Sequence, residues 1–166
     1  MFKTLGAAIL AIALMSLATC ASTDADKTGV ADFNNYENWT KINQETITGD
    51  LTDFLGSAHE GPSGFREVYV NDAGESVGLG QVDFPYPEGT IVVKESFAPD
   101  SSGKKGNLTG LTIMVKREAG YDPDNSDWEY LMTSADGAVQ MQGKVGMCID
   151  CHTGAYDTDY VFTYRE

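Results

Sequence analysis

Basic residues are the first shortage in this sequence: 11 Lys and Arg stand against 25 Asp and Glu, a formal net charge of -14. The few cations are not clustered, and phosphate backbones are held by clustered Lys and Arg through counterion release, so nucleic-acid binding is excluded. Such acidity serves solubility first and, as a second use, steers a basic partner such as a positively charged redox protein. Cysteine occurs three times and histidine twice, which leaves few side chains for any site that needs thiols or imidazoles. Long apolar runs are missing as well. The longest, Leu5 to Leu17, is too short to span a bilayer. There is no internal repeat.

What is present fits one compact domain, since 166 residues with a removable leader leave room for a single core. Lys3 followed by the apolar Leu5 to Leu17 reads as an export signal over residues 1–19. Leu17-Ala18-Thr19-Cys20 is similar to a lipobox, in which Cys20 is acylated and becomes the first mature residue, although Thr19 departs from the usual Gly, Ala or Ser. The expected location is the periplasm, with a lipid anchor at Cys20. The alternative is cleavage after Ala18 or Ala21 and a soluble periplasmic protein. An unpaired Cys20 in an oxidising compartment favours lipidation. Residues 20–35 are small, polar and acidic and read as a flexible tether; the folded domain is expected over 36–166.

Within that domain, Trp39, Ile42, Ile47, Leu51, Phe54 and Leu55 are spaced as on one or two short helices between Tyr36 and Ala58, separated at Thr48-Gly49-Asp50. After the break Gly61-Pro62-Ser63-Gly64, β-branched and aromatic runs predict strands at Phe65 to Asn71, Thr90 to Phe97, Leu108 to Arg117, Trp128 to Met132 and Tyr160 to Tyr164. Turn sequences at Asp122 to Ser126 and at Asp136-Gly137 separate them. The expected fold class is α+β, mainly an antiparallel sheet with a few flanking helices in a single domain.

Cys148-Ile149-Asp150-Cys151-His152 carries the chemistry. Two thiols one helical turn apart, beside a histidine, are the pattern for covalent haem attachment: both sulfurs become thioethers and the imidazole reaches iron. A zinc half-site is the weaker reading, because His59 is the one other histidine and Cys20 is committed elsewhere. A surface disulfide and a thioredoxin-like pair are also weaker, the latter because it belongs at a helix start in a βαβ setting. One covalent haem c is therefore expected, with Cys148 and Cys151 binding it and His152 ligating the metal. For the other side of the iron, Met114, Met132, Met141 and Met147 are candidates if the protein is an electron carrier, and core filling is the commoner use of each.

Pro87-Glu88-Gly89-Thr90-Ile91-Val92-Val93-Lys94-Glu95, then Lys116-Arg117, Asp127-Trp128-Glu129-Tyr130, Cys148 to His152 and Asp159-Tyr160-Val161-Phe162 follow one another in an order that resembles the cytochrome P-460 family. The resemblance runs from about Val30 to Glu166. It implies a mostly antiparallel β fold with flanking helices, commonly a homodimer, and a high-spin haem with an open distal position. Some members oxidise hydroxylamine with a haem cross-linked to a lysine; the related cytochromes c-prime-beta bind nitric oxide without that link. Electron transfer and binding of a small gaseous or nitrogen-oxide ligand are thus the expected roles, with hydroxylamine oxidation as the enzymatic alternative.

By this resemblance Lys94 falls where the cross-linking lysine sits and Arg66 where a pocket arginine sits; these are the two candidate catalytic residues. Alternation puts Lys94 on one strand face with Val92, and Arg66 with Val68 and Val70. An edge-strand lysine reaching to water stands equally beside the first reading, and a surface ion pair beside the second. Thr112 occupies the position at which the hydroxylamine oxidisers place a carboxylate, which removes an evident general base. Phe65, Phe84 and Phe97 are candidates to cap the haem face, as aromatic residues do in the nitric-oxide binders. His59, in a Gly-rich loop, reads as solvent-facing rather than distal.

Overall fold

The computed structural model describes residues 32–48 and 64–162, and within them the β-branched and aromatic runs become strands. The order is a 3-10 turn at Tyr36–Asn38, β1 (Thr40–Lys41), β2 (Ile47–Thr48), β3 (Phe65–Val70), α1 (Glu75–Gly78), β4 (Ile91–Pro99) and β5 (Lys105–Lys116). A second 3-10 turn at Pro123–Asn125 precedes β6 (Trp128–Ser134), β7 (Val139–Gly143), α2 (Gly146–His152) and a 3-10 stretch at Thr153–Thr158. All strand pairs are antiparallel. They form one seven-stranded sheet ordered β1-β3-β4-β5-β6-β7, with β2 also on β3. This is the α+β class, dominated by antiparallel β, that the sequence predicts. No helix among the described residues is long and apolar enough to cross a membrane.

The tight connections follow from their residues. Between β4 and β5, Asp100 accepts hydrogen bonds on Oδ1 from the Ser102 N–H at 2.8 Å and the Lys104 N–H at 2.9 Å, an Asx turn that Gly103 completes with φ 76°. Between β6 and β7, Gly137 takes φ 85°.

The pairing register decides what the sheet presents. Val68 pairs with Lys94, Lys94 with Thr112, Thr112 with Met132, and Met132 with Met141. The next row is Val70, Val92, Met114 and Tyr130. Paired residues share a face, so Arg66, Val68, Lys94, Thr112, Met114, Tyr130 and Met132 all project to the same side. There the core gathers Val68, Val70, Val92, Met114, Trp128 and Tyr130 with Cys148, Tyr160 and Val161 from the C-terminal segment.

Two sequence expectations are corrected and one strand is added. The helical spacing of Trp39, Ile42 and Ile47 yields a single 3-10 turn and two edge strands, because the outer edge of β3 needs backbone partners. Where β1 and β2 break, the Asn43 side chain replaces them, accepting from the Val68 N–H at 2.7 Å and donating to the Arg66 carbonyl at 3.5 Å. Tyr160 to Tyr164 is not a strand over its described part: Asp159 and Tyr160 have φ 54° and 65°, so the chain turns there. β7 is an addition: Val139–Gly143 alternates apolar and polar residues but is only five residues long and almost wholly exposed. The leader, Cys20, most of the tether, residues 49–63 with His59, and residues 163–166 lie outside the described residues.

Candidate functional site

Between the core face of the sheet and α2 lies a cavity of about 70 Å³ that opens toward solvent. Arg66 and Val68 line it from β3, Val92 and Lys94 from β4, and Thr112 and Met114 from β5. Tyr130, Leu131, Met132, Cys148, His152, Val161 and Phe162 complete the wall. It is mostly apolar with a few convergent polar groups, the usual character of a small-molecule or cofactor site.

Helix α2 brings the chain's conspicuous motif to that cavity. Spacing of three in the helix Gly146–His152 puts Cys148 and Cys151 on neighbouring positions of one face. Cys148 is buried, Cys151 is half-buried, and neither is in a disulfide. Burial pushes both thiols up from their ordinary value, and Cys151 adds to the rise at Cys148. A dithiol redox pair needs the opposite, a lowered pKa that supplies thiolate. The zinc reading also fails among the described residues, which contain no cluster of three or more His, Cys, Asp and Glu able to hold a metal ion.

His152 is fixed on several sides. Its Nδ1 lies 2.6 Å from the Tyr160 carbonyl. A carbonyl oxygen accepts and never donates, so Nδ1 carries the proton and Nε2 keeps the lone pair of the neutral ring. Tyr130 and Phe162 pack their rings against the imidazole at centroid distances of 5.2 Å each. Burial lowers its pKa, against the pull of the Tyr160 hydrogen bond. The ring is therefore held neutral and oriented, as a metal-ligating imidazole must be.

Lys94 and Arg66 both line the cavity. The edge-strand reading of Lys94 is overturned, because β4 is a central strand between β3 and β5. Removal from bulk water, with the Arg66 guanidinium nearby, lowers the Lys94 ammonium from 10.5 to about 7. Arg66 is 4% exposed, so its side chain is buried and not at the surface. Thr112 sits directly opposite Lys94 on β5, and no aspartate or glutamate is among the described residues of the wall.

Of the methionine candidates, Met114 and Met132 line the cavity; Met141 and Met147 are exposed. The phenylalanines proposed as a cap are elsewhere. Phe65 and Phe97 pair with each other across β3 and β4, Phe97 lies under the Lys105 ammonium, and Phe84 packs on Tyr86. The aromatic wall residues that sequence reasoning missed as site residues are Tyr130 and Phe162. Their signal was present in Trp128-Glu129-Tyr130 and Tyr160-Val161-Phe162, where alternation and proximity to the motif single them out.

The family model for cytochrome P460 matches residues 33–163, and no curated protein matches the chain. Haem, which that family implies, fits the residues present. The cavity is mostly apolar, Cys148 and the oriented His152 open onto it, and the buried Tyr130 hydroxyl in its wall has no hydrogen-bond partner among the described residues. With most of its length matched, the chain belongs to the cytochrome P460 family.

Proposed function

We propose that this chain is an exported monohaem c-type cytochrome that binds a small nitrogen oxide. In this reading Cys148 and Cys151 hold the haem through thioethers and His152 ligates the iron. The observation that carries it is the convergence of Cys148, His152, Lys94 and Arg66 on one cavity. Haem supplies an iron that exchanges single electrons and takes a small ligand on its open side.

The chain's own residues do the rest. His152 presents Nε2 while its Nδ1 proton is held by Tyr160. Apolar Val68, Val92 and Met114 exclude water, which strengthens every polar contact made inside. Lys94, titrating near 7, is part ammonium and part amine at neutral pH; it and the Arg66 guanidinium are donors suited to a ligand that gathers negative charge on nitrogen or oxygen.

Hydroxylamine oxidation is the second reading, favoured by one observation: an amine with its pKa at about 7 is far more nucleophilic at neutral pH than an ordinary lysine, as a cross-link to haem requires. Against it stands Thr112, which offers no general base where a carboxylate would serve. A third reading, an electron carrier with a methionine ligand, draws on Met114 and Met132 in the wall.

Expression of the full chain with cytochrome maturation machinery tests all three. The expected product gains the mass of one haem, is high-spin when ferrous, and takes up nitric oxide. An additional covalent link and a red-shifted ferrous Soret band favour the hydroxylamine reading, and low-spin iron with a sulfur ligand favours the carrier. A colourless product of unmodified mass overturns the proposal. Export, a lipid at Cys20 and a homodimer belong to the same reading; Cys20→Ser is expected to release the protein from membranes into the periplasmic fraction.

A further inference from the structure

We infer that the buried Lys116–Asp159 ion pair is a positioning device for the His152 imidazole: it locks the turn whose carbonyl holds the Nδ1 proton. The inference rests on the reading of His152 as the iron ligand and concerns how strongly that ligand donates.

Lys116 is the last residue of β5 and is 8% exposed; Asp159, distant in sequence, is 6% exposed. The Lys116 ammonium lies 2.8 Å from both carboxylate oxygens of Asp159. The same carboxylate accepts from the Tyr86 N–H at 2.8 Å and from the Ser126 hydroxyl. The Asp159 carbonyl accepts from the Trp128 indole N–H at 2.7 Å, and the Lys116 ammonium lies 4.8 Å from the centre of the Trp128 ring. One residue thus ties the C-terminal turn to β5, to β6 and to the segment before β4.

What it holds is a disfavoured backbone. Asp159 and Tyr160 are consecutive non-glycine residues with φ of 54° and 65°, the left-handed region where a Cβ is crowded and which persists when surrounding contacts enforce it. That geometry sets the Tyr160 carbonyl 2.6 Å from Nδ1 of His152. A hydrogen bond from the far nitrogen of a ligating histidine raises the donor strength of the near one and fixes the ring's orientation. An ordinary structural ion pair serves equally well anywhere in a fold. This one meets the iron ligand through a single residue, Tyr160.

The test uses the holoprotein and two readouts other than turnover, the iron–histidine stretching band of the ferrous form and the midpoint potential. Asp159→Ala frees the turn, so the stretching band is expected to fall in frequency and the potential to shift positive as the imidazole donates less. Lys116→Met, which leaves the turn's sequence intact, is expected to move both readouts in the same direction. Asp159→Asn, which keeps the Tyr86 contact without the charge, is expected to move both readouts in the same direction but by less than the alanine variant, and to remain folded if the alanine variant does not. Ile113→Ala, on the opposite face of the sheet, is the control: it lowers stability and leaves both readouts in place. Unchanged potential and band in haem-loaded Asp159→Ala or Lys116→Met, or values in Asp159→Asn no nearer wild type than those of the alanine variant, overturn the inference while leaving His152 ligation standing. A wild-type protein without haem overturns both.

Discussion

On one face of the sheet Val93 and Ile113 are closed from solvent, at 0% and 1% exposure; on the other, Val92, Met114 and Tyr130 end at the wall of a cavity. The charges divide in the same way. Glu67 and Glu95 follow Arg66 and Lys94 in sequence, and the period of two sends each carboxylate to one side and each cation to the other. The carboxylates are provided for: Glu67 by Lys41 and Lys105, Glu95 by the Tyr36 hydroxyl at 2.8 Å, and Glu129 by Arg117 and Gln142. The cavity face carries Arg66 and Lys94 with no carboxylate among the described wall residues. One face is completed by the chain's own side chains; the other is shaped for something the chain does not encode.

The largest effect should come from denying the cavity face its occupant. Cys148→Ala combined with Cys151→Ala is expected to abolish the pigment and to lower Tm substantially, because a cofactor bound to the native state alone stabilises it by mass action. Absorbance and thermal unfolding check this, and a Tm equal to that of the wild type would break the contrast between the faces. Ile113→Ala sharpens it from the opposite side. Truncating a fully buried isoleucine costs ~2–5 kcal/mol, read by denaturant unfolding of the holoprotein, while the haem spectrum stays that of the wild type.

How much of this was legible in the sequence depended on range. Strands β3 to β6 are written locally in β-branched and aromatic runs; alternation placed Lys94 beside Val92 and Arg66 beside Val68 and Val70, and the register of β3 on β4 joins the two into one face. The haem motif is local too, five residues in one helix. The failures are long-range or edge effects. The spacing of Trp39, Ile42 and Ile47 fits a helix as well as a broken strand, and the open edge of β3 decided between them. β7 alternates Val139, Gln140, Met141 and Gln142, but over so short and exposed a run that the pattern did not stand out, and its pairing with β6 settles it. Lys116 meets Asp159, and Tyr130 meets His152, across separations that no periodicity reports.

The smallest effect is expected on the face away from the cavity, at Glu67. Burial there works to raise the carboxyl pKa, and the combined hydrogen bonds from Lys105, Thr46 and Lys41 outweigh it, bringing the value from 4.5 to about 2. A folded-state pKa below the unfolded one means that the unfolded chain takes up the proton first as pH falls. The stabilisation by Glu67 is therefore fully present above 4.5 and disappears as pH drops through about 2. Its two lysine partners have side chains 33% and 36% exposed, so water screens the pair and the contribution at neutral pH is ~1 kcal/mol. Glu67→Gln should lose that amount in urea unfolding at pH 7 and converge on the wild type as pH approaches 2. Its Soret band should not move, since Glu67 points away from the cavity that Arg66 and Val68 line. A shifted band would mean that the sheet transmits charge from one face to the other, and the two faces would then have to be treated as one coupled site.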